Sequence, residues 1–290
     1  MTRAFFISDL HGSVAKYEFL FESILRYQPE AVFIGGDLTG LATFTNQESA
    51  VSTENFLSGY LSANLQEIRD NLHEQYPKIF VIMGNDDYKL QEAELWKMDK
   101  CGLIIYVNER IVPFQNYLVA GYSYVPPTPF MNKDWEKYDV SRFVDVGCVL
   151  PEAGFRSVPT LPDKIKYDTI KCDLQQLFSQ DVLSKTICLF HAPPYQTKLD
   201  RAALDGKYVD YAPLDVHIGS IAIKEFILQK SPHITLHGHV HESTRLTGEW
   251  KEIIGNTFCF QAALERNDIG LISFDLENPQ QAEMIREKIN

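Results

Sequence analysis

Three things are scarce in this chain of 290 residues, and each scarcity excludes a class of protein. Positive charge is the first: 27 Lys and Arg stand against 39 Asp and Glu, a formal charge of −12. Such a surface repels a polyanion, so no nucleic-acid partner is expected through a broad basic face. A small anionic substrate is still admitted, because a bound metal ion reverses the field locally. Long apolar runs are the second. Ala4-Phe5-Phe6-Ile7 has four residues before the polar Ser8-Asp9, too short for the hydrophobic region of a secretory signal. No stretch approaches the roughly 18 uninterrupted apolar residues of a membrane helix, so no membrane partner is expected either. Paired cysteine is the third. Cys101, Cys148, Cys172, Cys188 and Cys259 are odd in number, far apart and never in a CxxC arrangement. They read as thiols of a reducing compartment, not as a disulfide or zinc framework, and the expected location is the cytoplasm.

What is present fits a globular protein: 45% hydrophobic and 23% charged residues, in a chain long enough to bury a large core. No internal repeat or low-complexity tract occurs. The first third alternates short apolar runs with longer amphipathic ones. Ala4 to Ile7, Ala31 to Ile34 and Ile79 to Met83 read as buried strands. Val14 to Tyr27, with Ser13 as its cap, and Phe56 to Tyr76 read as helices. Strands and helices alternating in this way imply parallel strands with right-handed crossovers.

From about Tyr122 to Asp163 the texture changes: six prolines and several aromatics fall there without periodicity. An ordered insert or cap is expected, since a flexible linker carries fewer aromatics. Within it, Lys133-Asp134-Trp135-Glu136-Lys137 alternates in charge and reads as a short exposed helix. Tyr122, Tyr124, Phe130, Trp135 and Tyr138 read as a small core of the insert, with stacking on a planar substrate group as the competing reading. Helices near Lys166 to Ser179 and Ile218 to Gln229 follow, with strands at Thr186 to Phe190 and Ile234 to Leu236. The last stretch, including Glu242 to Leu246, Lys251 to Ile254, Phe258 to Phe260 and Gly270 to Asp275, reads as strands with a hairpin turn at Thr247-Gly248. One α/β sandwich domain over residues 1–290, with a mixed sheet, accommodates all of these elements.

Metal-type ligands fall at the carboxyl ends of the expected strands. Asp9 and His11 follow the first strand, Asp37 the second and Asn85 the third. His191 follows the strand ending at Phe190, and His239 and His241 follow the one ending at Leu236. Loops at the carboxyl ends of an α/β sheet converge, so donors from separate segments can meet in one cleft. Carboxylate, imidazole and amide oxygen suit Mn²⁺, Fe, Zn²⁺ or Ni²⁺, and no cysteine lies in these loops to suggest a thiolate site. His73 reads as surface, His233 as a loop residue, and His237 as a residue that orients a ligand.

Asp9-x-His11, Gly36-Asp37, Gly84-Asn85, His191 and Gly238-His239-Val240-His241 occur in order, and together they resemble the calcineurin-like metallophosphoesterase family. The resemblance frames the chain from Asp9 to His241 and skips the insert. It implies a four-layer α/β/β/α sandwich with mixed sheets and a centre of two divalent metal ions, Mn²⁺ first among the candidates. Asp9, His11 and His241 would hold one ion, Asn85, His191 and His239 the other, and Asp37 would bridge them. A metal-bridging hydroxide would then attack the phosphorus of a small phosphoester substrate.

Two departures from the family pattern bear on the chemistry. Many members carry a histidine after the Gly-Asn pair, thought to assist the leaving group, where this chain reads Gly84-Asn85-Asp86-Asp87. Asp86 can serve as acid only with a strongly raised pKa, and His217, ahead of a helix start, is the candidate replacement. Gly36-Asp37-Leu38-Thr39-Gly40 also lacks the second aspartate of the GDxxD form. Lys198 and Arg201 are the nearest candidates for extra phosphate contacts. A missing acid harms poor alkoxide leaving groups most, which favours a phosphodiester, a cyclic or other nucleotide derivative among them. A phosphomonoesterase, a nuclease and a non-catalytic interaction scaffold on the same fold are the competing functions.

Overall fold

The computed structural model describes residues 2–39, 56–179, 183–265 and 267–288; Gly40 lies outside them. Along the chain run β1 (Arg3–Ile7), α1 (Val14–Tyr27), β2 (Ala31–Ile34), α2 (Ser62–Leu72), β3 (Lys78–Val81), α3 (Glu92–Lys100) and β4 (Ile105–Tyr106). Next come β5 (Arg110–Phe114), β6 (Tyr117–Tyr122), α4 (Pro162–Tyr167), α5 (Ile170–Leu177), β7 (Thr186–Phe190) and the small hairpin of β8 (Tyr208–Val209) and β9 (Ala212–Pro213). The chain closes with α6 (Ile221–Lys230), β10 (Ile234–His237), α7 (Ser243–Thr247), β11 (Lys251–Ile254), β12 (Thr257–Gln261), β13 (Asp268–Asp275) and β14 (Glu283–Lys288).

The larger strands form two six-stranded sheets, ordered β14-β13-β1-β2-β3-β4 and β11-β12-β10-β7-β6-β5. Each is mixed: β1, β2, β3 and β4 run parallel, as do β6, β7, β10 and β12, while the outer strands β13, β14, β11 and β5 pair antiparallel. The two-residue period of a strand explains the layering. In β1, Ala4 and Phe6 join the core between the sheets, with Phe33, Phe80, Leu189, Leu236 and Phe260. Phe5 and Ile7 face the other way, towards Tyr17, Leu20 and Ile24 of α1 and Leu65 and Ile68 of α2. On the second sheet Phe190 meets Phe178 and Phe226, placing α5 and α6 on its outer face. The result is the expected four layers, helix, sheet, sheet, helix.

Several elements differ locally from the expectation. Ser13 sits at the start of α1 in extended backbone but makes no side-chain capping bond. The long helix expected over Phe56–Tyr76 is a π-helical stretch (Phe56–Leu61), then α2, then a 3-10 turn (His73–Gln75). Its apolar face survives, since Leu57, Leu61, Leu65, Ile68 and Leu72 are all buried. The strand expected at Glu242–Leu246 is instead helix α7, stopped by Gly248 at φ 77°. A glycine past the last turn supplies the left-handed residue that ends a helix, so Thr247-Gly248 is a helix stop and no hairpin turn. The hairpin turn lies at Gly255-Asn256, between β11 and β12.

The insert spans the gap between β6 and α4, and its charge run is the largest local departure. Lys133, Asp134, Trp135 and Glu136 are buried and non-helical. Lys133 Nζ and Glu136 Oε2 pair at 2.5 Å, and Thr128 donates its N–H and hydroxyl to the same carboxylate. The charges are therefore internal ties and not a solvated face. Tyr122, Tyr124, Trp135 and Tyr138 are buried and Phe130 is exposed. Tyr122, Tyr124 and Trp135 belong to the large core cluster shared with β1, α1 and α2, so they are not a separate core of the insert. The insert also reaches both halves of the sandwich. Asp139 accepts from Ser220 Oγ (2.6 Å) and Ile221 N–H (2.6 Å) at the start of α6, and Lys89 Nζ, beyond β3, donates to Tyr124 (2.7 Å).

Candidate metal centre

The loops after β1, β2, β3, β7 and β10 carry the seven expected ligands. Four of these, Asp9 (φ 59°), His11 (φ 48°), Asp37 (φ 51°) and His239 (φ 74°), adopt left-handed backbone. Such conformations cost about 1–3 kcal/mol apiece and persist where the surroundings fix them. Here the first two loops are laced together: Asp9 N–H donates to Gly36 O (3.1 Å) and His11 N–H to Asp37 O (2.8 Å). Lys16 of α1, itself buried, donates to Asp9 O (3.1 Å). Two glycines admit the side chains. A Cβ on Gly84 would lie 2.3 Å from Asp37 Oδ1, and one on Gly238 2.4 Å from Asp9 Oδ2.

Ligand atoms of Asp9, His11, Asp37 and His241 all lie within 4.8 Å of one another. His11 Nε2 faces His241 Nε2 at 3.1 Å, and His241 Nε2 lies 3.0 Å from Asp9 Oδ1. A second group adjoins it: His191 Nε2 is 3.1 Å from Asn85 Oδ1 and 3.4 Å from Asp37 Oδ1. The ring of His239 stands 5.4 Å from that of His191, and the backbone N–H of His239 donates to Asp9 Oδ1 and Oδ2, at 3.1 Å each. Asp37 divides its carboxylate between the groups, with Oδ2 3.8 Å from His11 Nε2 and Oδ1 towards His191. His191 Nδ1 lies 2.7 Å from Gly35 O. A carbonyl only accepts, so Nδ1 carries a proton and Nε2 is the atom offered to the cluster. Oxygen and imidazole donors in this density fit hard or borderline divalent cations.

The electrostatics follow from burial and crowding. Burial lowers the pKa of His191, yet Asp37 and Asp9 outweigh it and push it up to about 10. Burial takes His239 down to about 3, helped by the charge of His191. Asp86 is pushed up to about 8, by burial first and then by Asp37 and Asp87. That shift is the one a carboxylic acid donor needs, but cations among these groups would oppose it.

Asp86 lies within the cluster: its Oδ2 is 3.5 Å from His11 Nδ1, and Asn85 Nδ2 donates to its Oδ1 (3.1 Å). His217 belongs to another network. Its Nδ1 meets Asp200 Oδ1 (2.8 Å), its N–H donates to Asp215 (2.9 Å), and Asp200 also accepts from Gln196, Thr197 and Gly219. Arg201 and Lys198 are engaged with Asp205 and Glu249. His237 holds backbone and not a ligand side chain, donating from Nδ1 to Ala192 O (2.9 Å) and taking Thr235 Oγ1 at Nε2 (2.8 Å).

Asp87 is the site residue that spacing did not single out. Fully buried, it accepts from Leu38 N–H (3.0 Å), Thr39 N–H (2.9 Å), Thr39 Oγ1 (3.0 Å) and Gly84 N–H (3.0 Å), knitting the Asp37 loop to the Asn85 loop. Its place beside the Gly-Asn pair was the available signal.

A model of the calcineurin-like phosphoesterase family matches residues 2–243. The chain belongs to that family. Calcineurin-like phosphoesterases are metal-dependent hydrolases with a binuclear divalent centre, and the matched span contains every ligand candidate above. The uncharacterized protein YpbG of Bacillus subtilis (strain 168) is 31% identical over 111 residues, covering 38% of this chain. The match spans about a third of that protein's length, 36%. The solved structure of TT1561 from Thermus thermophilus superposes with a TM-score of 0.55 at 14% identity, covering 100% of this chain and 99% of that one. Another solved structure gives 0.58 at 16% identity, covering 100% and 99%. At such identities the likeness is one of fold. Among the described residues, no helix is long and apolar enough to cross a membrane.

Proposed function

We propose that this member of the family hydrolyses a small phosphodiester in the cytoplasm, acting as a single domain over residues 1–290. Asp9, His11 and His241 hold one divalent cation, Asn85, His191 and His239 hold the other, and Asp37 reaches both. The observation that carries this reading is the divided carboxylate of Asp37, whose two oxygens face imidazoles of separate groups. When bound, two such cations lower the pKa of water and neutralise charge on the phosphoryl oxygens. Mn²⁺ is the favoured occupant, since oxygen and imidazole donors surround the space without a thiolate.

The protein's own groups orient the ligands. His191 is aimed by Gly35 O through the ring nitrogen turned away from the cluster, and Asn85 by the carboxylate of Asp86. Asp86 stands where many relatives have a histidine, and its contacts to His11 and Asn85 make it an orienting group first and a proton donor second. His217, held on Asp200, is the remaining candidate for leaving-group protonation. Weak protonation harms poor alkoxide leaving groups most, which favours a diester; a cyclic or other nucleotide derivative is the substrate proposed within that class.

The test is a metal-reconstituted assay on bis-p-nitrophenyl phosphate beside p-nitrophenyl phosphate, with Mn²⁺, Zn²⁺, Ni²⁺ or chelator. Metal-dependent release favouring the diester is expected. Preference for the monoester would overturn the substrate class, and two bound ions without turnover on either would favour an interaction scaffold.

A further inference from the structure

The loop from Asn85 to Gln91 carries one of the proposed ligands, and its backbone polar groups can be followed singly. Asp86 N–H donates to Asp37 Oδ1 (2.8 Å), Asp87 N–H to Gly84 O (3.1 Å) and Gln91 N–H to Tyr88 O (2.9 Å). Three further groups are met by the insert. Asn132 Nδ2 donates to Asn85 O (3.1 Å), Lys89 N–H donates to Asp134 Oδ2 (2.8 Å), and Leu90 N–H donates to Ser157 Oγ (2.9 Å). The Asn85 carbonyl, met by Asn132, is buried and needs such a partner, so the insert is part of what gives this loop its shape.

The clamp is itself well fixed. Asn132 is buried, and its Oδ1 accepts from Asp134 N–H (3.2 Å), which settles which end of the amide faces Asn85. Ser157 donates to Asp134 through both its N–H (2.8 Å) and its hydroxyl (2.5 Å). The first ligand group is held differently: Asp9 takes His239 N–H and His241, all from loops at the strand ends.

We propose that Asn132 is a positioning residue for the second cation, so that the insert sets the affinity of the Asn85, His191 and His239 group for a divalent ion. The proposal rests on the two-metal reading. A neutral amide oxygen is a weak ligand, and its contribution depends on being held in place beforehand. Loss of an outer partner of a metal ligand typically costs 10–100-fold in affinity. Asn132 acts through the backbone of Asn85, so about tenfold is expected, greatest at one of two ions.

The experiment titrates the full metal-stripped chain with Mn²⁺ by calorimetry, with elemental analysis to count bound ions. Wild type should take two ions. Asn132→Ala should weaken the second about tenfold and the first by much less, the loop reaching that group only through Asp86, which meets His11 and Asp37, and turnover should return towards wild type at saturating Mn²⁺. Ser157→Ala, a milder change at the loop's far end, should weaken the same ion by less, and it serves if Asn132→Ala fails to fold. Tyr138→Phe removes a bond within the insert, to Glu152 (2.6 Å), and should alter neither ion. Thermal unfolding of the metal-free variants separates loss of fold from loss of affinity. Equal weakening of both ions, an unchanged second ion in Asn132→Ala, or the same loss in Tyr138→Phe would overturn the assignment. Fewer than two ions in wild type would instead sink the two-metal reading, and this role with it.

Discussion

Around Asp37 charged and polar side chains point at one another across a shared space, whereas in the insert Lys133 and Glu136 are each used up by a partner. Both regions are buried and both carry acids. In the first, His11 Nε2 and His241 Nε2 meet at 3.1 Å among carboxylate oxygens, an excess of acceptors that a cation can satisfy. In the second, one lysine and two donors from Thr128 converge on one glutamate. Acceptors without enough donors make a place to bind something, and acceptors matched to donors make a tie. The difference is visible in the backbone as well: among the described residues, Asp9, His11, Asp37 and His239 are left-handed at the ligand loops, and no non-glycine residue of the insert is. Strain of that kind is retained where side chains must be aimed.

The largest effect should come from removing the group shared by both halves of the centre. Asp37→Asn keeps size and shape but loses the charge that faces His11 and His191. Metal-dependent hydrolysis should fall more than about a hundredfold, beyond the loss typical of an outer partner, and bound metal should drop below two ions. Wild-type turnover with two ions would break the contrast, because Asp37 would then be only a structural acid.

The next effect tests the insert as a tie. Lys133→Met leaves Glu136 buried without its partner, forced to take up a proton or carry an unpaired charge, and breaking a buried pair from one side costs up to about 3–5 kcal/mol. Denaturant unfolding should show that loss. The double variant Lys133→Met with Glu136→Gln should recover part of it, since a neutral amide oxygen can still accept from Thr128 N–H. A double variant no more stable than the single one would show that the charges are not the tie.

The two regions were unequally legible in the sequence for a physical reason. Each ligand loop announces itself locally, through a polar residue soon after an apolar strand, with a glycine close by in every loop but that of His191, so Asp9, Asp37, Asn85, His191 and His239 are found by order and spacing. Strand ends and helix faces, set by periods of two and 3.6 residues, were readable on the same terms. Burial of a charge is settled by partners far away in the chain. Lys133 and Glu136 looked like a solvated run because alternation says nothing of the fold that encloses them. Asp87, Lys16 and Asn132 are similar, each acting on backbone that only the folded chain brings near. Helix α7 was misread for a local reason, its β-branched threonines outweighing the glycine stop at Gly248.

The smallest effect is a pH dependence that the insert should show by itself. Burial pushes the pKa of Glu136 up to about 7, Lys133 and Thr128 opposing it without cancelling it. Unfolded glutamate titrates near about 4.3. The folded state therefore holds this proton more tightly, and the favourable contribution is full below the unfolded pKa. It is lost as pH rises from about 4.3 to about 7, at up to about 1.4 kcal/mol per unit. Other carboxylates titrate over part of this range, so the measurement is the stability of wild type minus that of Glu136→Gln, from denaturant unfolding at several pH values. The difference should decline across that window and flatten above pH 7. A flat difference from about pH 5 upward would mean that the folded pKa is not raised and that Glu136 is ionised against Lys133 across this window. The tie would then be an ion pair throughout it, and the contrast with the acceptor-rich metal loops would rest on donor count alone.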